Sequence, residues 1–444
     1  MVNEWIDPKS HESRRCAMWL FFIGMFTMTR INVGGKLGIS ELIMLISAPI
    51  ILFQNLTAFR RENVTGFLTL SFLWLCGAVF SDWYNGTYPI LAFKGIANPV
   101  MVLANVIVLY SLLRKNPENL RWLLLGLAIS SIISIFAFQN ISDEELREIG
   151  ADVDAVSKVT GYKLFWGNMV RAWVGLLISG WYLQMPKAIS LWGVIAIMIA
   201  YVLCGGRSAS ASYMATFFLI FIGGTKVASM MRIKKYIVLI LVVLAFAGAA
   251  FKAAYKYAAV NGLLDESEQK KYERQTSGGS GGLLAMFMSG RSEIFIATIA
   301  ALDKPLVGHG SHAIDDNGYV ADFFKKYGSD IDQKLYYDAA LSKTHQIPFH
   351  TQIVTFWMWH GIFGLLFWGY VLCLVVWTLF KGMAVYPSIF GYFALVLPLL
   401  LWDLFFSPFG SRVSECATFV MCLIVRNMAR GIRYHVEVRK FNVR

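Results

Sequence analysis

The sequence predicts an all-α polytopic membrane protein with about twelve transmembrane helices and one large, partly helical extramembrane loop. Three observations carry that expectation. Of the 444 residues, 57% are hydrophobic and only 15% are charged, where a soluble domain carries about 25% charged residues. Apolar runs long enough to cross a bilayer recur along the chain. Between the runs ending near 251 and starting near 351, a polar stretch of about a hundred residues is too hydrophilic for lipid.

Taken in order, the apolar runs fall at about 16–29, 38–54, 66–81, 95–113, 122–138, 164–185, 189–204, 209–223, 236–251, 351–380, 388–406 and 413–426. They divide the chain into a membrane bundle at 1–251, a loop at 252–350 and C-terminal helices with a basic tail at 351–444. No small-residue cleavage site follows the first run, so it is expected to remain as an anchor.

Charge orients the bundle. The formal net charge is +12. Lysines and arginines crowd the short segments of one side, among them Arg14, Arg15, Arg60, Arg61, Arg114 and Lys115, and the tail. Short loops on the other side hold few, and one of them is acidic, Asp143-Glu144-Glu145. The positive-inside rule then puts both termini in the cytoplasm and 252–350 outside. That loop is nearly neutral, with 11 Lys and Arg against 12 Asp and Glu from Lys252 to His350, so a groove for nucleic acid is not expected. The excess charge follows from topology, helped by anionic membrane lipid.

Within the loop, Thr276 to Gly282 reads as a flexible hinge. Phe295, Ile299 and Leu302 then repeat at helical spacing until Lys304-Pro305 stops the helix, and Gly308-His309-Gly310 makes a tight turn. The segment Ser81 to Lys94 reads as an irregular, extended piece at the outer interface.

Candidate chemistry follows from residue type and place. Arg291 falls at a helix start, where free backbone N–H groups already favour an anion. Arg207, in the turn Gly205-Gly206-Arg207-Ser208, can fork onto phosphate oxygens or reach headgroups. Arg171 and Asp403 lie inside apolar runs, either paired with each other or with Arg171 on a lipid phosphate. His309, His312, His345 and His350 give four imidazoles, but their spacings match no zinc signature and no cysteine lies in the loop. No metal and no cofactor is expected. His350 reads as a general base at the mouth of a helix, with Trp357, Gly361, Gly364 and Trp368 on its face at 100° per residue. The six cysteines read as small apolar residues beside the spans. No P-loop, dinucleotide fingerprint or GxSxG is present.

The ordered set Gly206-Arg207-Ser208, Ser289-Gly290-Arg291, Pro305-Leu306-Val307-Gly308-His309-Gly310, and His350 followed by Gly361 and Gly364 resembles the O-antigen ligase and polymerase family of bacterial inner membranes. The match covers about 190–370, and Ser81 to Lys94 resembles an upstream family segment carrying a basic residue. Thr351 stands where the family often has Asn or Ser, and His345 competes for the role of His350.

The resemblance implies a metal-independent inverting glycosyltransferase whose large loop is periplasmic. The donor would be a glycan on undecaprenyl pyrophosphate. The acceptor would be a second glycan (a surface or exopolysaccharide polymerase, towards which Pro305 to Gly310 leans) or the lipid A core of lipopolysaccharide (a ligase). His350 would be the base. Arg207 and Arg291, with Lys94 and Arg171, would hold pyrophosphate, and His345 and His309 would be further substrate-binding residues. A flippase for the same lipid-linked saccharide is the alternative of another class, although no internal repeat supports it.

Overall fold

The computed structural model describes residues 11–32, 36–137, 191–196, 198, 207–223, 257, 261–262, 291–327, 346–410 and 412–442. The architecture is helical. Helix α1 (His11–Met25) leads through a hairpin of β1 (Arg30–Asn32) and β2 (Lys36–Gly38) into α2 (Ile39–Arg61), α3 (Thr65–Tyr84), α4 (Pro89–Leu113) and α5 (Leu120–Ala137). Helix α6 (Arg207–Gly223) precedes the loop helices α7 (Ser292–Asp303) and α8 (Tyr319–Tyr327). The chain closes with α9 (Gln352–Phe380), α10 (Phe390–Phe406) and α11 (Arg412–Asn442).

Four helices among the described residues, α2, α3, α4 and α9, are long and apolar enough to cross a membrane, and α10 is a shorter apolar helix. The runs at 164–185 and 236–251 lie outside the described residues, and that at 189–204 is described as helix only over 191–196.

The bundle is tied at one end by charge. Arg114 Nη1 donates to Glu62 Oε1 at 2.8 Å, the Tyr110 hydroxyl donates to Glu62 Oε2 at 2.6 Å, and Asn427 Nδ2 donates to that hydroxyl at 3.1 Å. This knot joins α2, α4 and α11 where the basic residues gather. The polar loop meets the opposite end of α3, whose 20 residues span about 30 Å, the thickness of a bilayer's apolar core.

Between the ends the helices pack on aromatic side chains. Trp74 of α3 stacks on Phe367 at 4.7 Å and meets Phe356 edge-on at 4.9 Å, while Phe356 stacks on Trp368 at 5.3 Å. Such pairs add about 0.5–1.5 kcal/mol each beyond area burial. Helices α1 and α5 cross with backbones touching: a Cβ on Gly24 would lie 2.4 Å from the Leu123 carbonyl oxygen. Small residues at a crossing let main chains approach in lipid.

The segment from Ser81 to Lys94 is not extended. Ser81 to Tyr84 complete α3, and Pro89 to Lys94 open α4, with a turn of four residues between. The physical reason is local: Asn85 Nδ2 caps the Ser81 carbonyl at 2.8 Å, Gly86 takes φ +62°, and Pro89 sits at the first helical position, where its missing N–H costs nothing.

Candidate functional site

The site begins with a break in α9. Gly361 has φ +62° and ψ −148°, a conformation essentially reserved for glycine, and the helix does not run through it. Such a break frees backbone groups of a buried helix that must find partners in protein. The loop supplies them. Ile362 N donates to the Leu306 carbonyl at 3.1 Å, His309 N to the Met358 carbonyl at 2.7 Å, and Gly310 N to the Trp359 carbonyl at 3.1 Å. Ser81 Oγ adds a second donor to the Trp359 carbonyl at 2.6 Å. The backbone of 306–310 is spliced into the interrupted ladder of α9. Gly308, at φ +83°, has no room for a side chain, since a Cβ there would lie 2.4 Å from the Trp359 oxygen.

Beneath the splice lies a buried polar chain. The indole Nε1 of Trp74 donates to His360 Nδ1 at 2.8 Å, and His360 Nε2 lies 3.0 Å from Ser311 Oγ. Ser311 donates its hydroxyl to Asp82 Oδ2 at 2.9 Å and its amide N–H to Asp82 Oδ1. An indole can only donate, so Nδ1 carries no proton and the neutral imidazole donates from Nε2. Each proton then has one acceptor, ending on the carboxylate. His360 and Ser311 are each 1% exposed and Asp82 is 5% exposed. Ser311 Oγ occupies the volume that a Cβ at residue 95 would need, which explains glycine there.

Above this floor the α3–α4 turn and residues 304–319 enclose a cleft of about 270 Å³. Its walls include Thr87, Tyr88, Lys304, His309, His312, Asp316, Asn317 and Tyr319. Lys304 Nζ donates to Asn85 Oδ1 at 3.0 Å, and Asn85 Nδ2 donates to the Gly308 carbonyl at 3.1 Å. His309 Nε2 donates to the Ala300 carbonyl at 2.7 Å, and burial pulls its pKa below the usual imidazole value. His312 lies against Trp359 at 4.5 Å and Phe349 at 5.6 Å. Burial lowers its pKa as well, reinforced by the Lys94 ammonium and opposed by Gln346 and Asp82. Both imidazoles are neutral near pH 7.

The residues singled out from sequence are distributed as follows. His309 lines the cleft, and the charge of half-buried Lys94 reaches His312 from α4. Arg291 stands at the N-cap position of α7, at the end of that helix away from Lys304, and does not line the cleft. There its guanidinium sits 5.4 Å over the Trp402 ring and 5.5 Å over Phe406, with Nη1 donating to the Phe406 carbonyl at 3.3 Å. Arg207 is the first residue of α6, which packs on α10, the helix that Arg291 touches. Asp403 lies in α10. Arg171 and His345 lie outside the described residues.

His350 is exposed and precedes the helix, which Thr351 caps by accepting from Val354 N at 3.2 Å. Its segment pairs with the cleft wall through Ile347 N to the Ala313 carbonyl at 2.9 Å. The expected common face of His350, Trp357, Gly361, Gly364 and Trp368 does not form, because α9 turns at Gly361. Trp357 Nε1 donates to the Pro305 carbonyl at 3.1 Å, and Gly364 makes room for the Phe356 carbonyl of the same helix across the break. The backbone of Leu306 and Val307 approaches Gly361.

Asp82, Ser311 and His360 escaped the sequence reading. His360 adjoins the glycine pair, and Ser81-Asp82 stand in the segment taken as extended, so only their adjacency to those motifs could have flagged them. Among the described residues no group of three or more His, Cys, Asp or Glu is placed to hold a metal ion. No protein-family model matches the chain, and no curated protein matches it in sequence.

Proposed function

We propose that the protein is a glycosyltransferase of the O-antigen ligase and polymerase type, working at the outer face of a bacterial inner membrane with both termini in the cytoplasm. It joins a glycan carried on undecaprenyl pyrophosphate to an acceptor sugar hydroxyl. The acceptor oxygen attacks the anomeric carbon as the bond to pyrophosphate breaks, with inversion. The hydroxyl proton passes to His350, and undecaprenyl pyrophosphate leaves. Lipid pyrophosphate is a good leaving group, so cationic side chains and one base suffice and no metal is called for. The lean is to a polysaccharide polymerase, with a ligase onto the lipid A core as the alternative acceptor.

One observation carries the reading. Two motifs that resemble the family, Pro305 to Gly310 and Gly361 to Gly364, are far apart in sequence yet form one unit, 306–310 hydrogen-bonded across the break in α9. That unit joins a polar cleft to the apolar bundle, where a lipid-linked sugar would present its head. Arg291, and Arg207 at the start of α6, supply the charge for pyrophosphate.

A broken membrane helix with polar groups at the break also suits a transporter, which favours a flippase as the second reading. Product mass separates the two. Purified protein in nanodiscs, mixed with lipid-linked oligosaccharide, should yield glycans heavier by whole donor units, together with free undecaprenyl pyrophosphate. His350→Ala should cut the rate by about 10²–10⁴-fold while donor still binds. Unchanged glycan masses in the wild type would exclude a transferase, and wild-type rates in the variant would remove His350 from its role.

A further inference from the structure

We infer that the cleft between the α3–α4 turn and residues 304–319 is a subsite for one uncharged sugar ring, separate from the place where the glycosidic bond is made. The transferase reading supplies the identity of the glycan; the chemistry of the cleft stands without it. Among the described residues the fixed charges of its lining cancel, one lysine against one carboxylate, Lys304 and Asp316. Neither His309 nor His312 carries charge near neutral pH, and among the described residues no arginine lines the walls. A pyrophosphate would find no net positive field here, and a lipid tail would find polar walls.

What the walls do offer is a mixture of donors and acceptors. Thr87 and Tyr88 present hydroxyls, Lys304 a donor and Asp316 an acceptor. The Tyr319 hydroxyl, which donates to Asp303 Oδ2 at 2.6 Å and accepts from Asn317 Nδ2 at 2.7 Å, forms a fixed polar edge on which Asn317 keeps its Oδ1 as an acceptor. The Tyr88 ring, 68% exposed, gives a flat apolar surface of the kind that covers the C–H face of a pyranose. The floor is pre-formed: Ser311 is held by Asp82 and His360 before any ligand arrives. At about 270 Å³ the cleft lies just below the usual size of small-molecule pockets, which suits one ring better than a chain.

The place of Arg291 decides the role: it does not line the cleft but stands at the opposite end of α7, against Trp402 and Phe406 of α10. A pyrophosphate held at Arg291 would put the reacting sugar at that end of α7, outside the lining of the cleft. The ring bound there belongs further along a glycan. Binding energy from such a remote group is used to orient the reacting end, so longer chains should react faster than short ones.

The test uses the full chain in nanodiscs and two kinds of probe. Saturation-transfer NMR follows a panel of neutral trisaccharides of differing sugar type, and calorimetry follows inorganic pyrophosphate. Asp316→Ala, Asn317→Ala and Tyr88→Ala change exposed residues, so folding should be preserved. At least one trisaccharide should bind the wild type and lose about tenfold in affinity in these variants while holding its affinity in Arg291→Lys. Pyrophosphate binding should be untouched by the three cleft changes. The subsite is overturned if no trisaccharide binds, if the cleft variants bind it as well as the wild type, or if they lose pyrophosphate instead. Absence of transfer with sugar binding intact would sink the transferase reading and leave the subsite standing.

Discussion

The two ends of α7 solve different problems with different chemistry. At its C-terminal end, residues 304–311 have given their backbone to the break in α9, and the polar groups beneath, Trp74, His360, Ser311 and Asp82, are matched donor to acceptor. Shape is fixed there by hydrogen bonds and by glycines that leave no room for a side chain. At the N-terminal end, Arg291 lies across two aromatic rings with one carbonyl contact among the described residues. A guanidinium on a ring face keeps most of its donors for something else. Satisfied polar networks at one end confer rigidity, and a lightly held cation at the other confers charge for a ligand.

Substitutions should therefore separate stability from activity. Gly361→Ala should do the most damage to the fold. It forces an L residue into a glycine conformation, costing about 1–3 kcal/mol, and its Cβ would press 2.1 Å from the Leu306 oxygen. Thermal unfolding in detergent, followed by size-exclusion fluorescence, should show this variant melting well below the wild type. Equal melting would mean that the break is not a feature of the folded protein.

Arg291→Lys should invert that pattern. Melting should move little, since the cation–π contacts of this half-buried guanidinium contribute about 0.5–2 kcal/mol and lysine retains part of that. Transfer from lipid-linked donor should fall by about ten- to a hundredfold, the equivalent of about 1.5–3 kcal/mol for a lost charge-assisted hydrogen bond. A fall in melting with no fall in turnover would make Arg291 a packing residue.

A smaller effect distinguishes the two ends by pH. Burial depresses the pKa of both His309 and His312 below the usual imidazole value. The unfolded chain takes up protons near pH 6.5, the folded chain only at lower pH. The stability these neutral rings contribute is fully present above about 6.5 and is lost as pH falls towards their folded values. Melting should decline modestly from pH 7 to pH 5 in the wild type. It should decline less in His312→Gln; the same slope in both would place that ring outside the titrating set.

The helical bundle was legible because length and apolar content suffice for a membrane span: α2, α3, α4 and α9 follow the runs closely. Arg291 as a helix start was legible too, from the periodicity of Phe295, Ile299 and Leu302 and the stop at Pro305. The break in α9 was not, because a glycine within an apolar run does not disclose its dihedral angles. Nor was the chain of Asp82, Ser311 and His360, whose links cross 229 and 49 residues of sequence. Proximity of that kind is set by packing. The helical form of Ser81 to Tyr84 and Pro89 to Lys94 was hidden for a related reason, since the Asn85 contact and the place of Pro89 at a helix's first position show only in the fold.

The splice itself is open to direct measurement by amide hydrogen exchange across 304–312 and 358–364. His309, Gly310 and Ile362 donate their N–H groups to carbonyls at 2.7–3.1 Å, so these amides should exchange as slowly as those of the spans although two of the three belong to the polar loop. Asp82→Ala, which leaves the Ser311 amide and hydroxyl without their acceptor at a cost of about 1–3 kcal/mol, should speed exchange at 309–311 before the rest of α9. Rapid exchange at His309 and Gly310 in the wild type, at the rate of a solvated loop, would contradict the account.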